Sequence, residues 1–135
     1  MELVAGYAAG WKVVKNFRDL YVWRKSHALT LECYKLTRDF PKHELYGITS
    51  QMHRCAASIA ANIAEACGKR GNGDFQRFLG IAAGSASELE YHFLLARDLE
   101  LMTADQYKTL NSSVLEVKRM LATLILKVEN ERLAG

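Results

Sequence analysis

Large apolar side chains recur every three or four residues in four segments of the chain, which is the spacing of one face of an α-helix. The second segment, residues 48–67, is the most informative, because nearly every position between its large apolar residues is small. The large residues are Ile48, Met52, Ile59 and Ile63. Since small side chains let helices approach closely, we expect this helix to be the central packing element of a bundle.

The other three helices are predicted from the same periodicity and from signals at their ends. The first should span residues 20–39, with Asp19 as N-cap and Pro41 ending it, because the residue before a proline avoids helical angles. The third should span about residues 73–99. The fourth opens with the capping-box sequence Thr103-Ala-Asp-Gln106. Its apolar seam then steps by three and four residues through Tyr107, Leu110, Val114, Val117, Leu121, Leu124 and Val128.

The predicted first helix carries two neighbouring apolar stripes. One stripe contains Leu20, Trp23, His27, Leu31 and Tyr34. The other contains Val22, Ser26, Leu29, Cys33, Leu36 and Phe40. Together they form a wide apolar face, and we expect that face to pack against the other helices.

Short connections between the four helices predict an all-α fold, an up-down-up-down antiparallel four-helix bundle that assembles with copies of itself. We divide the chain into a flexible N-terminal extension, residues 1–16, and a four-helix bundle domain, residues 17–135. No apolar run reaches the length of a membrane span, so we expect no membrane partner. The three cysteines lack Cys-x-x-Cys spacing, and buried reduced thiols are typical of the cytoplasm.

No set of residues in the sequence has the spacing of a catalytic or metal site. A ferritin-like di-iron bundle needs two Glu-x-x-His motifs, whereas the chain has one Glu88-x-x-x-His92, which is a residue too long. The nucleophile motif Gly-x-Ser-x-Gly is absent, and the glycine-rich loop at residues 68–73 lacks the Gly-Lys-Ser/Thr ending of a phosphate-binding loop. We therefore expect a protein that is not an enzyme and has no catalytic residue, metal or cofactor.

A polar stripe runs along the small-residue helix, formed by Arg54, Ser58, Asn62 and Glu65. In an antiparallel hairpin, facing residues have a nearly constant sum of residue numbers, and Glu65 with Arg77 has the same sum as Arg54 with Glu88. We therefore predict two ion pairs between the second and third helices. Such pairs can fix register and partner choice. The alternative is that Arg54 or Arg77 faces outward and contacts RNA.

Positive charge is concentrated in the first half of the chain. The net charge is +3, and residues 11–77 carry 12 Lys/Arg against 6 Asp/Glu. The basic side chains that could contact phosphates are Lys12, Lys15, Arg18, Arg24, Lys25, Lys69, Arg70 and Arg77. We take Lys69, Arg70, Arg77 and Arg54 as candidate nucleic-acid contacts. The other interpretation is an ordinary solvated surface.

Five short motifs indicate a family. They are Phe17-Arg-Asp-Leu-x-x-Trp23, Tyr34-x-x-Thr37-x-x-Phe40-Pro41, Tyr46-Gly-Ile-Thr-Ser-Gln51, Arg54-x-Ala-x-Ser58-Ile59-x-x-Asn62-Ile-Ala-Glu65 and Phe75-x-x-Phe78-Leu-x-Ile-Ala82-x-Gly84-Ser85-x-x-Glu88-Leu-Glu90. The sequence resembles the bacterial 23S rRNA intervening-sequence proteins, also called four helix bundle proteins, whose relatives include accessory proteins of diversity-generating retroelements. The resemblance implies a four-helix protomer, a homopentameric ring, and a binding role related to RNA or reverse transcriptase without catalysis.

The chain departs from the family pattern near the start of the second helix. His53-Arg54 stands where two adjacent arginines are usual, Cys55 replaces an alanine, and Ala60 stands where proline is common. The loss of one arginine weakens the expectation of nucleic-acid contact at that point.

Taken together, these patterns predict a cytoplasmic protein whose first partner is itself, as a pentamer. Its expected function is a non-enzymatic binding module for structured RNA, or for an RNA–protein complex, that acts through a basic surface of the ring. The alternative is a protein-interaction scaffold or accessory subunit, for example for a reverse transcriptase, with no direct RNA contact.

Overall fold

The computed structural model describes residues 16–134, and every regular element in that range is helical. The helices are α1 (Tyr21–Thr37), α2 (Ser50–Cys67), α3 (Asn72–Asp98) and α4 (Ala104–Ala134). A 3-10 turn, Phe17–Asp19, precedes α1, and the short turns Lys42–Glu44 and Leu45–Thr49 connect α1 to α2. The all-α prediction is therefore confirmed for this range. The predicted N-terminal extension lies outside the described residues, apart from Asn16.

Both ends of α1 differ from the prediction. Asp19 is not the N-cap, because it belongs to the preceding 3-10 turn; Leu20 holds the extended backbone (φ −83°, ψ 123°) that the cap position requires, without a side-chain cap. At the other end α1 stops at Thr37. The backbone N–H groups of Arg38 and Asp39 donate to carbonyls three residues earlier, at 3.3 Å each. This tighter 3-10 pattern ends the helix before Pro41.

The connection between α3 and α4 is closed by two capping motifs. Glu100 has a left-handed backbone (φ 61°), the backbone N–H of Glu100 donates to the Arg97 carbonyl, and that of Leu101 donates to the Ala96 carbonyl, both at 2.9 Å. This pattern is a Schellman motif. The predicted capping box then starts α4: Thr103 Oγ1 accepts from the Gln106 N–H at 3.1 Å, and Gln106 Oε1 accepts from the Thr103 N–H at 2.8 Å.

The core lies between the four helices, with α2 packed on α1 and α3, and α4 packed on α3 and α1. As predicted, α2 contributes many of its members: Met52, Cys55, Ala56, Ile59, Ile63, Ala66 and Cys67. The α4 seam is also buried as predicted from Leu110 to Val128, whereas Tyr107 is partly buried. Ala57 and Ala61 of α2 are exposed, so its small residues face solvent on one side of the protomer.

One of the two α1 stripes faces the core along the helix, whereas the other does so only near its start, where Leu20 is buried and Trp23 packs against the core. Val22, Ser26, Leu29, Cys33 and Thr37 are buried, whereas Leu31 and Tyr34 of the other stripe are 51% and 44% exposed. The buried stripe contains the smaller side chains. Ser26 lies at the contact with its hydroxyl donating to the Val22 carbonyl at 2.7 Å, so burial leaves that polar group satisfied.

Candidate nucleic-acid interface

Two cations lie close to the aromatic ring of Phe78 at the α2–α3 connection. Lys69 Nζ lies 4.9 Å from the ring centroid, and Arg77 Cζ lies 4.4 Å from it. Each contact has the geometry of a cation–π interaction, worth about 0.5–1 kcal/mol at an exposed site. Because Phe78 itself packs against the core, it fixes both cations at the surface.

The carboxylates that pair with these cations are exposed and come from the same helical segments. Lys69 Nζ lies 3.2 Å from Glu65 Oε2, and Arg77 Nε lies 3.7 Å from Asp74 Oδ1. Exposed pairs of this kind contribute about 0–1 kcal/mol, so another anion could replace the carboxylates. Arg70 is exposed and has no hydrogen-bond or ion-pair partner within residues 16–134. The connection therefore offers three cations to an approaching phosphate.

The predicted ion pair between Glu65 and Arg77 is wrong. Each side chain has a partner one helical turn away, Lys69 for Glu65 and Asp74 for Arg77. Arg77 also lies against Phe78. Close to the α2–α3 connection, Glu65 and Arg77 can each pair with a residue of its own helical segment. Neither side chain then has to reach across to the other helix.

Two more cations lie at the start of α1, each beside an aromatic ring. Arg18 Cζ lies 4.4 Å from the Phe17 centroid, and Arg24 Cζ lies 5.8 Å from the Tyr21 centroid. The Arg24 guanidinium donates to the Arg18 carbonyl at 3.1 Å. Both rings are partly buried, and arginine beside aromatic rings is a combination that single-stranded nucleic-acid binders use.

The two basic segments are neighbours, because the Phe17–Asp19 turn contacts α2. Burial raises the pKa of the Cys67 thiol, at the end of α2, to about 12, and the nearby Asp19 carboxylate contributes to the same shift. We call this region the basic corner and define it by Arg18, Arg24, Lys69, Arg70 and Arg77. Lys12 and Lys15 lie outside the described residues.

Arg54 is the fourth candidate contact, and it lies away from the basic corner on α2. The predicted ion pair between Arg54 and Glu88 is confirmed: the guanidinium donates to Glu88 Oε2 and also to Gln51 Oε1, the latter at 2.7 Å. The same Glu88 oxygen lies 3.3 Å from His92 Nε2. Arg54 is thus held in a network that joins α2 to α3, as expected for a side chain that sets register.

The remaining members of the polar stripe also form hydrogen bonds at the α2–α3 contact. Ser58 Oγ lies 2.9 Å from Ser85 Oγ, and Asn62 Nδ2 donates to the Ser58 carbonyl and hydroxyl at 2.8 and 2.9 Å. The sequence indicated the stripe through its helical spacing. Ser85 as a partner follows from the same register that pairs Arg54 with Glu88.

Sequence reasoning missed one cluster of metal-ligand side chains. Cys55, Glu88 and His92 place a sulfur, a carboxylate oxygen and an imidazole nitrogen within 4.8 Å of one another. Burial is the largest cause that raises the pKa of the Cys55 thiol, to about 12. The signal was present, because the register that pairs residue 54 with Glu88 also brings residue 55 next to that turn of α3.

None of the helices described between residues 16 and 134 has an apolar stretch that could cross a membrane.

A search against known proteins places this architecture in one family. The model of the 23S rRNA-intervening sequence protein family matches residues 18–123. A solved structure is also similar, that of a protein with unknown function from the S23 ribosomal protein family of Bacteroides thetaiotaomicron. It is 30% identical, with a TM-score of 0.72, and the alignment covers 77% of this chain and 94% of that one. No curated protein matches the chain.

Proposed function

This chain belongs to the 23S rRNA-intervening sequence protein family, and on that premise we propose that it is a non-enzymatic module that binds structured RNA. The binding surface in this proposal is the basic corner, repeated around a homo-oligomeric ring. The observation that carries the proposal is the approach of both Lys69 and Arg77 to the ring of Phe78, next to the exposed Arg70.

The arrangement suits phosphate because its cations are fixed but weakly neutralised. Phe78 restrains Lys69 and Arg77, so less side-chain entropy is lost when an anion binds. Their present partners, Glu65 and Asp74, are exposed carboxylates that solvent screens. A phosphate can then take over both cations without leaving a buried charge unpaired.

Assembly would make the modest charge of one protomer significant. Five copies at +3 each carry +15, and such a field raises the rate and strength of association with a polyanion. The ring we infer is the pentamer implied by the family resemblance, built from protomers of up-down-up-down topology. The pairs of residue 54 with residue 88 and of residue 58 with residue 85 support that topology for α2 and α3.

The exposed side of α3 supports self-association. Ile81 and Tyr91 are 41% and 56% exposed, and a Cβ added at Gly80 or Gly84 would have no atom within 4 Å. Glycine in a helix interior costs about 1 kcal/mol relative to alanine, and no contact within the described protomer requires its small size. The small size of these glycines would instead let a second copy of the chain approach α3 closely.

The test is RNA binding measured across a salt series. A fluorescently labelled stem–loop RNA is titrated with the protein, and the logarithm of the affinity is plotted against the logarithm of the salt concentration. We expect a steep negative slope, since each neutralised phosphate contributes about −0.7 to −0.9. The double variant Lys69→Ala, Arg70→Ala should weaken binding. It should also make the slope shallower by the contribution of one to two neutralised phosphates.

A charge-matched control removes two exposed cations of α4 instead, Lys108→Ala with Arg119→Ala. This control should bind nearly as tightly as the wild-type protein and keep its salt slope. Equal loss in both double variants would show that only total charge matters. No retention of the RNA at low salt would overturn the proposal.

The alternative, a protein-interaction scaffold or accessory subunit for a partner such as a reverse transcriptase, is favoured by the outer stripe of α1. The Trp23 and His27 rings stack at a centroid distance of 5.0 Å, and Tyr34 stacks on His53 at 3.9 Å. With the exposed Leu31 they form a surface of rigid aromatic and apolar groups, the composition that protein interfaces favour. A protein with no RNA affinity at low salt would leave this function as the better one.

A further inference from the structure

Cys55, Glu88 and His92 form a compact cluster between α2 and α3. Glu88 and His92 are four residues apart and lie on one face of α3, and Cys55 approaches them from α2. Cys55 is fully buried, whereas the side chains of His92 and Glu88 are 12% and 37% exposed. The cluster lies 14 residues before Lys69 on the chain, about 20 Å along a helix, so it is separate from the basic corner.

We propose that this cluster binds a divalent transition-metal ion of the zinc type, with one ligand from each of Cys55, Glu88 and His92. Thiolate sulfur, imidazole nitrogen and carboxylate oxygen are the three donor types that Zn²⁺ takes in proteins. Two ligands at i and i+4 on one helix also match the spacing of helical zinc sites.

The distances permit coordination after small side-chain movements. In a tetrahedral zinc site with bonds of about 2.0–2.3 Å, ligand atoms lie about 3.3–3.8 Å apart. The present atoms lie within 4.8 Å of one another, so contraction by about 1 Å completes the set. Side-chain torsions of Glu88 and His92 supply such a movement without moving either helix.

Hydrogen bonds around the cluster leave donor atoms available for an ion. His92 Nε2 lies 3.3 Å from Glu88 Oε2, so Nε2 is the ring nitrogen that faces the carboxylate, and bonds to the ion would replace this contact. Nδ1 is buried and has no hydrogen-bond partner among the described residues. It is therefore the nitrogen that carries the ring proton when Nε2 binds the ion.

Arg54 would act as an outer-shell partner in this site. Its guanidinium donates to Glu88 Oε2, so it orients the carboxylate that would bind the ion. The thiolate and the carboxylate together balance a divalent charge, and binding displaces the proton of the thiol. Three protein ligands leave the fourth position of a tetrahedral site open, on the side where Glu88 faces solvent.

The experiment is a titration of the full chain with Co²⁺, which substitutes for Zn²⁺ and reports on thiolate coordination. The protein is first reduced and freed of metal with a chelator. We expect a thiolate-to-cobalt charge-transfer band in the near ultraviolet that saturates at about one ion per protomer and disappears when Zn²⁺ is added. Cys55→Ala should abolish this band. Cys67→Ala removes another buried thiol as a matched control and should keep it.

Two further variants test the other ligands. His92→Ala should weaken Co²⁺ binding by more than the roughly 10–100-fold expected for an outer-shell partner. Glu88→Gln keeps an oxygen that accepts from Arg54 and should weaken binding to a similar degree. Helical circular dichroism checks that each variant is folded. No charge-transfer band at millimolar Co²⁺, or an unchanged band in Cys55→Ala, would overturn the proposal.

Discussion

The hydroxyl oxygens of Ser58 and Ser85 lie 2.9 Å apart and join α2 to α3 at a position where both side chains are partly buried. Asn62 Nδ2 also donates to Ser58 Oγ, at 2.9 Å, so Ser58 has a partner on its own helix as well as on α3. One turn earlier on α2, Arg54 contacts Glu88. These two contacts hold one register between helices whose facing residues are otherwise small and could slide.

The serine pair should contribute a measurable coupling energy. We expect a double-mutant cycle of Ser58→Ala and Ser85→Ala, measured by urea unfolding, to give about 0.5–1.5 kcal/mol of interaction, the usual net value of a hydrogen bond. The cycle of Ser58→Ala with Ser112→Ala, a serine on the exposed side of α4, serves as the control and should be additive. Additivity in both cycles would contradict a role for the serine pair in register.

Glu100 should be a position where a substitution increases the stability of the protein. Its φ of 61° is unfavourable for a residue with a Cβ, and glycine is the usual residue at this point of a Schellman motif. We expect Glu100→Gly to raise the free energy of unfolding by about 0.5–1 kcal/mol. Glu100→Ala removes the same carboxylate but keeps the Cβ, so it should give no such gain. Equal effects of both variants would attribute the change to the charge.

The Cys67 thiol should make the protein sensitive to alkaline pH. Its pKa is about 12 in the folded chain, against an ordinary value of 9.0, so between these values the unfolded chain releases a proton that the folded chain keeps. The stabilisation is complete below pH 9.0 and is lost as the pH rises toward 12. The slope for one thiol is about −1.4 kcal/mol per pH unit.

Comparison with Cys67→Ala isolates this contribution, because the other titrating groups cancel in the difference. We expect the unfolding free energy of the variant, measured by urea titration from pH 8 to pH 11, to fall less steeply than that of the wild-type protein by about this slope. Any cavity formed by the smaller side chain lowers stability at every pH and leaves the slope unaffected. Parallel pH profiles would contradict the assignment.

The sequence predicted α4 more completely than α1, and the reason lies in the width of the apolar pattern. Along α4 the apolar residues form one narrow seam, and Val114, Val117 and Leu121 are fully buried. In α1 the two stripes together form a wide apolar face, and the sequence predicted that this whole face would pack. The structure buries the stripe with Ser26 and leaves Leu31 and Tyr34 exposed, because close helix contact depends on side-chain size, which a hydropathy pattern does not weigh.

The candidate site was predictable in its charges and less so in its contacts. Lys69, Arg70 and Arg77 could be selected from the sequence, but the approach of two of them to the Phe78 ring depends on the path of the α2–α3 connection. Glu65 and Arg77 satisfied the helix register and still did not pair, because each has a nearer partner on its own segment. The register between two helices limits which residues can meet. Competition from nearer partners decides which charged residues form ion pairs.

The exposed side of α3 leads to the last prediction, which concerns assembly. A leucine at Gly84 should fit the isolated protomer, since a Cβ there has no atom within 4 Å and leucine favours the helix over glycine by roughly 0.8 kcal/mol. If a second copy approaches α3 closely at this point, the same side chain collides with it.

We therefore expect Gly84→Leu to keep its helical circular dichroism and to reduce the native mass, measured by light scattering after size exclusion, from that of the ring toward that of one protomer. Ser112→Leu places the same side chain on exposed α4 and should leave the mass unchanged. A ring that persists in Gly84→Leu would show that the contact between protomers lies on another face. A wild-type protein with the 15.2 kDa mass of one protomer at all concentrations would show that no ring forms. The multiplied charge on which the proposed RNA affinity depends would then be absent.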